Sequence, residues 1–176
     1  MTYNKHNIAV VAAAADKKSL HQELVSVRFS YTGTVATDSF QLIEISAPKS
    51  AEVKKFEPFM IRAEEVRGIS SADSYDILDN KDKKYAKISV PGGTTYELKK
   101  MEGEFPRYES IFPDQEPKAE IKLNAKYLMN VVKVLSGLDP KKEVTLKFYG
   151  ENRPIVIEAG NEDQKGRGLI APILKK

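Results

Sequence analysis

An α+β fold, in which antiparallel sheet packs on short helices, is predicted by three features of this 176-residue sequence. Many short segments alternate polar and apolar residues with a period of two, as half-buried strands do. Only one segment, around residues 125–136, carries a sustained helical stripe. One order of elements (a strand, a short helix, then two or three antiparallel strands) recurs around 5–46, 57–104 and 118–176, the first copy lacking a clear opening strand. Repeated units of this kind stack to bury a common face. With 41% hydrophobic and 30% charged residues, the chain has enough apolar surface to form a core.

The first copy opens with Ile8–Ala15, a run of helix formers behind Asn7 as N-cap, closing near Asp16, Lys17 and Lys18. In Glu23–Tyr31, Leu24, Ser26, Arg28 and Ser30 alternate with Val25, Val27, Phe29 and Tyr31, the pattern of a strand. Thr32-Gly33 turns the chain, and Thr34–Ile45 returns as the second arm of a hairpin. Ala47–Phe56 is polar with a proline and reads as a linker. The second copy has a short apolar strand at Pro58–Ile61 and a brief helix at Ala63–Arg67, which Gly68 ends. Strands at Tyr75–Leu78, Tyr85–Val90 and Thr94–Lys100 follow, separated by Asp79–Lys84 and Pro91-Gly92-Gly93.

Three prolines make Phe105–Pro117 an extended connector. The third copy starts with a strand at Ala119–Leu123, and Asn124 caps a helix over Ala125–Ser136 that Gly137 and Pro140 terminate. Leu128, Val131, Val132 and Leu135 form one apolar stripe, whereas Lys126, Asn130 and Lys133 share the opposite, basic face. Val144–Phe148 and Pro154–Glu158 make a hairpin around Gly150-Glu151-Asn152, and Leu169–Leu174 is a last strand after the polar loop Gly160–Gly168. Two domains are expected, residues 1–113 and 118–176, with 105–117 joining them.

Composition excludes several chemistries. Without cysteine there is no disulfide, thiolate nucleophile, iron–sulfur cluster or Cys-based zinc site. His6 and His21 have no neighbours at metal-binding or catalytic spacing, so no metal site is expected. Pro91-Gly92-Gly93 lacks the lysine and the helix of a phosphate-binding loop, and the carboxylates are scattered among lysines with no acid–base pair. No catalytic residue and no cofactor can be named, and a non-enzyme is expected. The longest apolar run, Ile8–Ala15, falls far short of the ~20 residues that span a bilayer, so a cytoplasmic protein without membrane partners is expected. Net charge is +3, but residues 117–176 carry 12 basic against 7 acidic side chains, and 51–116 carry 11 against 14. That excess suits weak attraction to phosphate backbones.

Three segments carry a family resemblance. Val35-Ala36-Thr37-Asp38-Ser39-Phe40-Gln41-Leu42 resembles the V-A-T-D-x-x-R-L-A strand–turn of bacterial DNA polymerase III beta subunits, the replicative sliding clamps. Gly103, Phe105, Pro106, Tyr108 and Pro113 match that family's G-x-F-P-x-Y-x-x-x-x-P connector, and Gly168–Leu174 resembles its terminal M-P-M strand, with Pro172 matched. The motifs occur in the family's order, with the helix at Asn124–Ser136 where a clamp helix should fall, and Lys175-Lys176 stand where family chains end. The resemblance implies a reduced or partial clamp: the middle domain followed by the last half of the C-terminal domain.

In the family the three segments converge on an apolar pocket for short peptides of polymerases, the clamp loader and repair proteins. Carried over, that pocket would use Thr37, Ser39 and Leu42, then Pro106, Ser110 and Ile111, then Leu169, Ala171 and Pro172. An apolar concavity with a few polar rim groups suits one or two anchor side chains of an extended peptide. The alternative is that these residues fill the joint between half-domains. Gln41 replaces a usual Arg, Ser110 a frequent basic residue and Ala171 a methionine, which would alter the pocket's width or its peptide.

Clamp helices also face duplex DNA without reading its sequence, a salt-sensitive contact. Lys126, Asn130 and Lys133 fit that role, as do Arg62, Arg67, Lys17 and Lys18, with Glu64 and Glu65 opposing it; a merely solvated basic face is the alternative. The family ring has twelve half-domains, so three per chain imply a homo-oligomeric ring of four chains, associated with the nucleoid. A different class of reading is an adaptor outside any ring, which binds clamp-interacting peptides without encircling DNA.

Overall fold

The computed structural model describes residues 1–49, 55–78 and 82–174. Parts of the expected linker and of the turn at 79–84, and the tail Lys175-Lys176, lie outside the described residues. Two compact units divide the chain, Met1–Glu109 and Ser110–Lys176.

Unit 1 contains two copies of one motif. The first is β1 (Thr2–Asn4), α1 (Lys5–Ala9) continuing as a 3-10 turn over Val10–Ala13, then β2 (Ser26–Ser30), β3 (Gly33–Thr37) and β4 (Leu42–Ser46). The second is β5 (Phe59–Arg62), α2 (Ala63–Gly68), β6 (Ser74–Ile77), β7 (Tyr85–Ser89) and β8 (Thr95–Met101). All eight strands form one antiparallel sheet in the order β1-β6-β7-β8-β5-β2-β3-β4. The copies exchange their opening strands: β1 pairs with β6, placing Tyr3 opposite Tyr75, and β5 pairs with β2, placing Ile61 opposite Val27. All four of these side chains are buried. Helices and sheet share one core, which includes Ile8, Val10, Phe29, Phe59, Val66 and Ile88. Phe29 stacks on Phe59 with ring centroids 5.4 Å apart.

Several expectations are corrected. The first copy does have an opening strand, β1, whose single core side chain, Tyr3, is too little for a period of two to show. The first helix is capped by Asn4, not Asn7: the Asn4 side chain accepts from His6 and Asn7 N–H, and Asn7 answers in a capping box. Asn7 is fully buried, and its amide donates to the carbonyls of Ile45 and Ser46 at 3.1 and 3.0 Å, tying the helix to β4. Thr34–Ile45 is two strands rather than one, because Asp38–Gln41 turns the chain between β3 and β4.

Unit 2 holds α3 (Ala125–Leu135), extended by a 3-10 turn at Ser136–Leu138, then β9 (Thr145–Lys147), β10 (Ile155–Gly160) and β11 (Lys165–Ile170) in the order β11-β10-β9. Asn124 caps α3 by accepting from Lys126 N–H at 2.9 Å. The predicted apolar stripe faces the sheet: Leu135 is buried with Ile155, Ile157 and Ile170, and Leu128, Val131 and Val132 pack against them. Residues 119–123 do not form the expected strand but run extended, held by a bond from Ile173 N–H to Lys122 C=O at 2.7 Å. The last strand begins at Lys165, not Leu169. Its glycines belong to the sheet: a Cβ at Gly166 would stand 2.6 Å from Leu138 Cδ1, and one at Gly168 would stand 2.7 Å from Val131 Cγ1. These two positions stay bare so that α3 can lie close on β11.

Candidate peptide pocket and DNA-facing surface

The β3–β4 turn is the most closely bonded part of the candidate peptide site. Buried Thr37 ends β3, its Oγ1 donating to Gln41 C=O at 2.7 Å and accepting from Ser39 N–H at 3.1 Å. Asp38 Oδ1 accepts from the N–H groups of Phe40 and Gln41, both at 2.9 Å, and Oδ2 accepts from Gln41 Nε2 at 2.9 Å. The Gln41 and Phe40 backbone donors, in that order, favour the charged form and hold the Asp38 carboxyl below its ordinary range. Thr and Asp fold this way locally because their short side chains satisfy turn N–H groups that no strand reaches. Ser39 consequently takes a left-handed φ of 79°. Phe40 projects into solvent at 98% exposure, Ser39 is exposed, and Leu42 is half-buried. Gln41, where the family resemblance leads one to expect Arg, serves as the amide partner of Asp38.

Pro106 is half-buried in a stretch of unit 1 that one aromatic side chain pins to β4. Tyr108 is buried, its hydroxyl donates to Glu44 Oε1 on β4 at 2.7 Å, and its ring meets Phe105 edge-on at 6.0 Å. Burial first, and the Glu44 bond second, push the Tyr108 phenol well above its usual range. Glu44 was no candidate in the sequence, where it is one polar residue of an alternating strand. The available signal was Tyr108 itself, since a buried tyrosine hydroxyl needs a partner.

In unit 2, Leu169 lies on β11 opposite Val156 and is exposed; Ala171 is exposed and Pro172 half-buried just beyond the strand. Ser110 and Ile111 are exposed on the one-turn 3-10 helix Glu109–Ile111. The β3–β4 turn thus brings Thr37, Ser39 and Leu42 together, and β11 with its extension brings Leu169, Ala171 and Pro172 together. A concavity of about 1440 Å³ in unit 1, lined by residues including Arg28, Phe56, Asp76, Lys100 and Phe105, contains none of these candidates.

Lys126, Asn130 and Lys133 are all exposed on α3, on the side away from the core stripe. The unit 1 candidates stand among acceptors. Lys17 Nζ lies 3.9 Å from Glu64 Oε1, Arg62 Nη2 donates to Gln22 Oε1 at 3.0 Å, and Arg67 Nη2 donates to Val11 C=O at 3.2 Å. Lys18 is exposed. The exposed Lys17–Glu64 pair is weak, so Lys17 can still turn toward an anion, whereas the Arg67 bond to Val11 C=O is part-buried. Among the described residues no His, Asp and Glu cluster is arranged to hold a metal ion. No helix there is long and apolar enough to cross a membrane.

Solved structures share this architecture. Over 98% of its length the chain matches a DNA polymerase sliding clamp from Pseudomonas aeruginosa, with a TM-score of 0.73, 15% identity and 50% of that chain covered. The Bacillus subtilis clamp matches over 98% of this chain and 48% of its own, with a TM-score of 0.72 and 15% identity. This is the sliding-clamp fold. DNA polymerase III subunit beta from Borrelia burgdorferi agrees, with a TM-score of 0.75 and 14% identity over 97% of this chain and 48% of that one. The chain spans about half the length of the clamps it matches. No family profile matches the sequence, and no curated protein does. Val35–Leu42 spans the end of β3, the Asp38–Gln41 turn and the first residue of β4, and Tyr108 ties the Gly103–Tyr108 stretch to β4.

Proposed function

We propose that this chain is a non-enzymatic, sliding-clamp-like replication or repair factor. It holds duplex DNA without sequence specificity and offers an apolar pocket to short peptides of polymerase, clamp-loader or repair partners. The clamp fold, matched over 98% of the chain, is the observation that carries this reading. The DNA role falls to Lys126, Asn130 and Lys133 on α3, assisted by Lys17, Lys18, Arg62 and Arg67. Exposed cations on a helix (Lys126, Lys133, Arg67) or beside one (Lys17, Lys18, Arg62) suit mobile phosphate contacts. The peptide role falls to Thr37, Ser39, Leu42, Pro106, Ser110, Ile111, Leu169, Ala171 and Pro172. The apolar members give anchors for a peptide side chain, and the exposed Ser39 and Ser110 give a polar rim.

Encirclement requires several copies, since one chain spans half a clamp subunit; a ring of four chains would have four times the 19.7 kDa chain mass. The expected result is retention on nicked circular DNA and loss when the circle is cut. Equal affinity for both forms, with a steep salt dependence, would mean open electrostatic binding instead. A labelled clamp-binding peptide is expected to bind saturably, and Leu42→Asp to abolish that binding. Unchanged binding by Leu42→Asp would remove the pocket. A second reading, a peptide-binding adaptor outside any ring, draws support from the mixed charge around α2, where Lys17 meets Glu64. It predicts peptide binding with no retention on circles.

A further inference from the structure

Unit 1 shows how a half-sheet of this type completes itself. Its second copy is ordered β5-β8-β7-β6, and both outer edges are covered by the first copy, β5 by β2 and β6 by β1. Unit 2 repeats that half-sheet alone. The pairs Ala86–Leu98 and Ile88–Tyr96 in unit 1 correspond to Ile155–Ile170 and Ile157–Gly168, and the pair Ile77–Ile88 to Leu146–Ile157. Counting back from the helix caps Arg62 and Asn124, Met60 corresponds to Lys122; Met60 pairs with Met101 as Lys122 bonds Ile173. The two routes agree on one register.

In that register Leu146 of β9 takes the place of Ile77 and Phe29. Those two are 5% and 0% exposed, whereas Leu146 is 44% exposed although it stands opposite the fully buried Ile157. The cover is missing: no strand pairs with the outer side of β9 among the described residues. We propose that a second copy of this chain supplies it. The extended segment 119–123 of each copy pairs antiparallel with β9 of the other, and the two half-sheets form one complete eight-stranded sheet.

The register specifies the contacts. Tyr3 opposite Tyr75 and Ile61 opposite Val27 become Leu123 opposite Val144 of the second copy. Phe59 opposite Phe29 becomes Ile121 opposite Leu146. Both are apolar pairs on the core face; on the other face Lys147, which bonds Glu158 of its own chain at 2.6 Å, would stand opposite Glu120. A one-residue slip would set the apolar residues of one strand against the polar residues of the other, so the pattern selects this register. The exchange inside unit 1 is reciprocal, each copy giving one strand and receiving one, which between identical chains is an isologous two-fold contact. It rests on the pairing within unit 1 and is independent of DNA or peptide binding.

Sedimentation velocity on the full chain, without DNA, is expected to show a species of twice 19.7 kDa, which would be the building unit of a four-chain ring, and Leu146→Glu to return it to the chain mass. Leu146 is already half-exposed in the single chain, so this variant keeps its circular dichroism. Because the sequence has no cysteine, single-cysteine variants report the register directly. Ile121→Cys mixed with Leu146→Cys is expected to give an oxidised dimer, and either variant alone to give little; residues opposite each other on antiparallel strands lie within disulfide reach. A chain that stays monomeric at every concentration would overturn the proposal. So would Leu146→Cys crosslinking alone as well as the mixture, because β9 would then pair with its own copy, and so would an oligomer that Leu146→Glu leaves intact.

Discussion

Tyr108 and Asp38 are the two residues through which the 105–108 stretch and the β3–β4 turn are held. The Tyr108 hydroxyl loses water on burial and is compensated by the Glu44 carboxylate at 2.7 Å. Tyr108→Phe is expected to cost about 1 kcal/mol in urea denaturation, since exposed Glu44 can return to water. The raised phenol favours the folded state below the unfolded tyrosine value of about 10, and that contribution falls as pH rises beyond it. Wild type should therefore lose more stability than Tyr108→Phe between neutral pH and pH above about 10. Asp38 has the opposite sign. Its lowered folded value means that its contribution is present above the unfolded value of about 3.9 and is lost as pH falls through the folded one. Asp38→Asn should flatten the acid limb of the stability curve while leaving the alkaline limb unchanged.

Among the elements, α3 and β11 show how far periodicity reads. The stripe Leu128, Val131, Val132 and Leu135 was legible and faces the core, because a helix sorts its own faces every 3.6 residues. Gly160–Gly168 looked like a loop, because glycine carries no periodic signal. In the fold Gly166 and Gly168 are strand residues chosen for the closeness of α3. Gly168→Ala is expected to destabilise the protein by about 1–3 kcal/mol, since the added methyl meets β-branched Val131 at 2.7 Å. Gly137→Ala, where a Cβ would meet nothing within 4 Å, is the control and should be neutral or slightly stabilising. The candidate site divides in the same way: the Thr-Asp turn could be read locally, whereas Glu44 as partner of Tyr108 could not.

At the scale of the molecule the two units differ in completeness. Unit 1 closes its core with both copies of the motif, while unit 2 has one copy and a core centred on Leu135, Ile155, Ile157 and Ile170. Small single-layer cores are marginal unless something covers them. Thermal melts followed over a hundredfold range of protein concentration should show a transition that rises with concentration in wild type. In Leu146→Glu it should stay constant, because stabilisation by a bound partner follows mass action. A concentration-independent melt in both would place the stability of unit 2 within one chain.

The sequence by itself determined the α+β class, the recurrence of strand, helix and strands, the long helix with its apolar and basic faces, and the Thr-Asp turn. Each depends on side chains within a few positions of one another, where backbone geometry sets the period. Only the tertiary structure decided that β1 exists, that the copies of unit 1 trade opening strands, and that glycines line the contact of α3 with β11. It alone joined Tyr108 to Glu44, 64 residues away. A short strand gains its stability from the neighbour it pairs with, and that neighbour lies far along the chain.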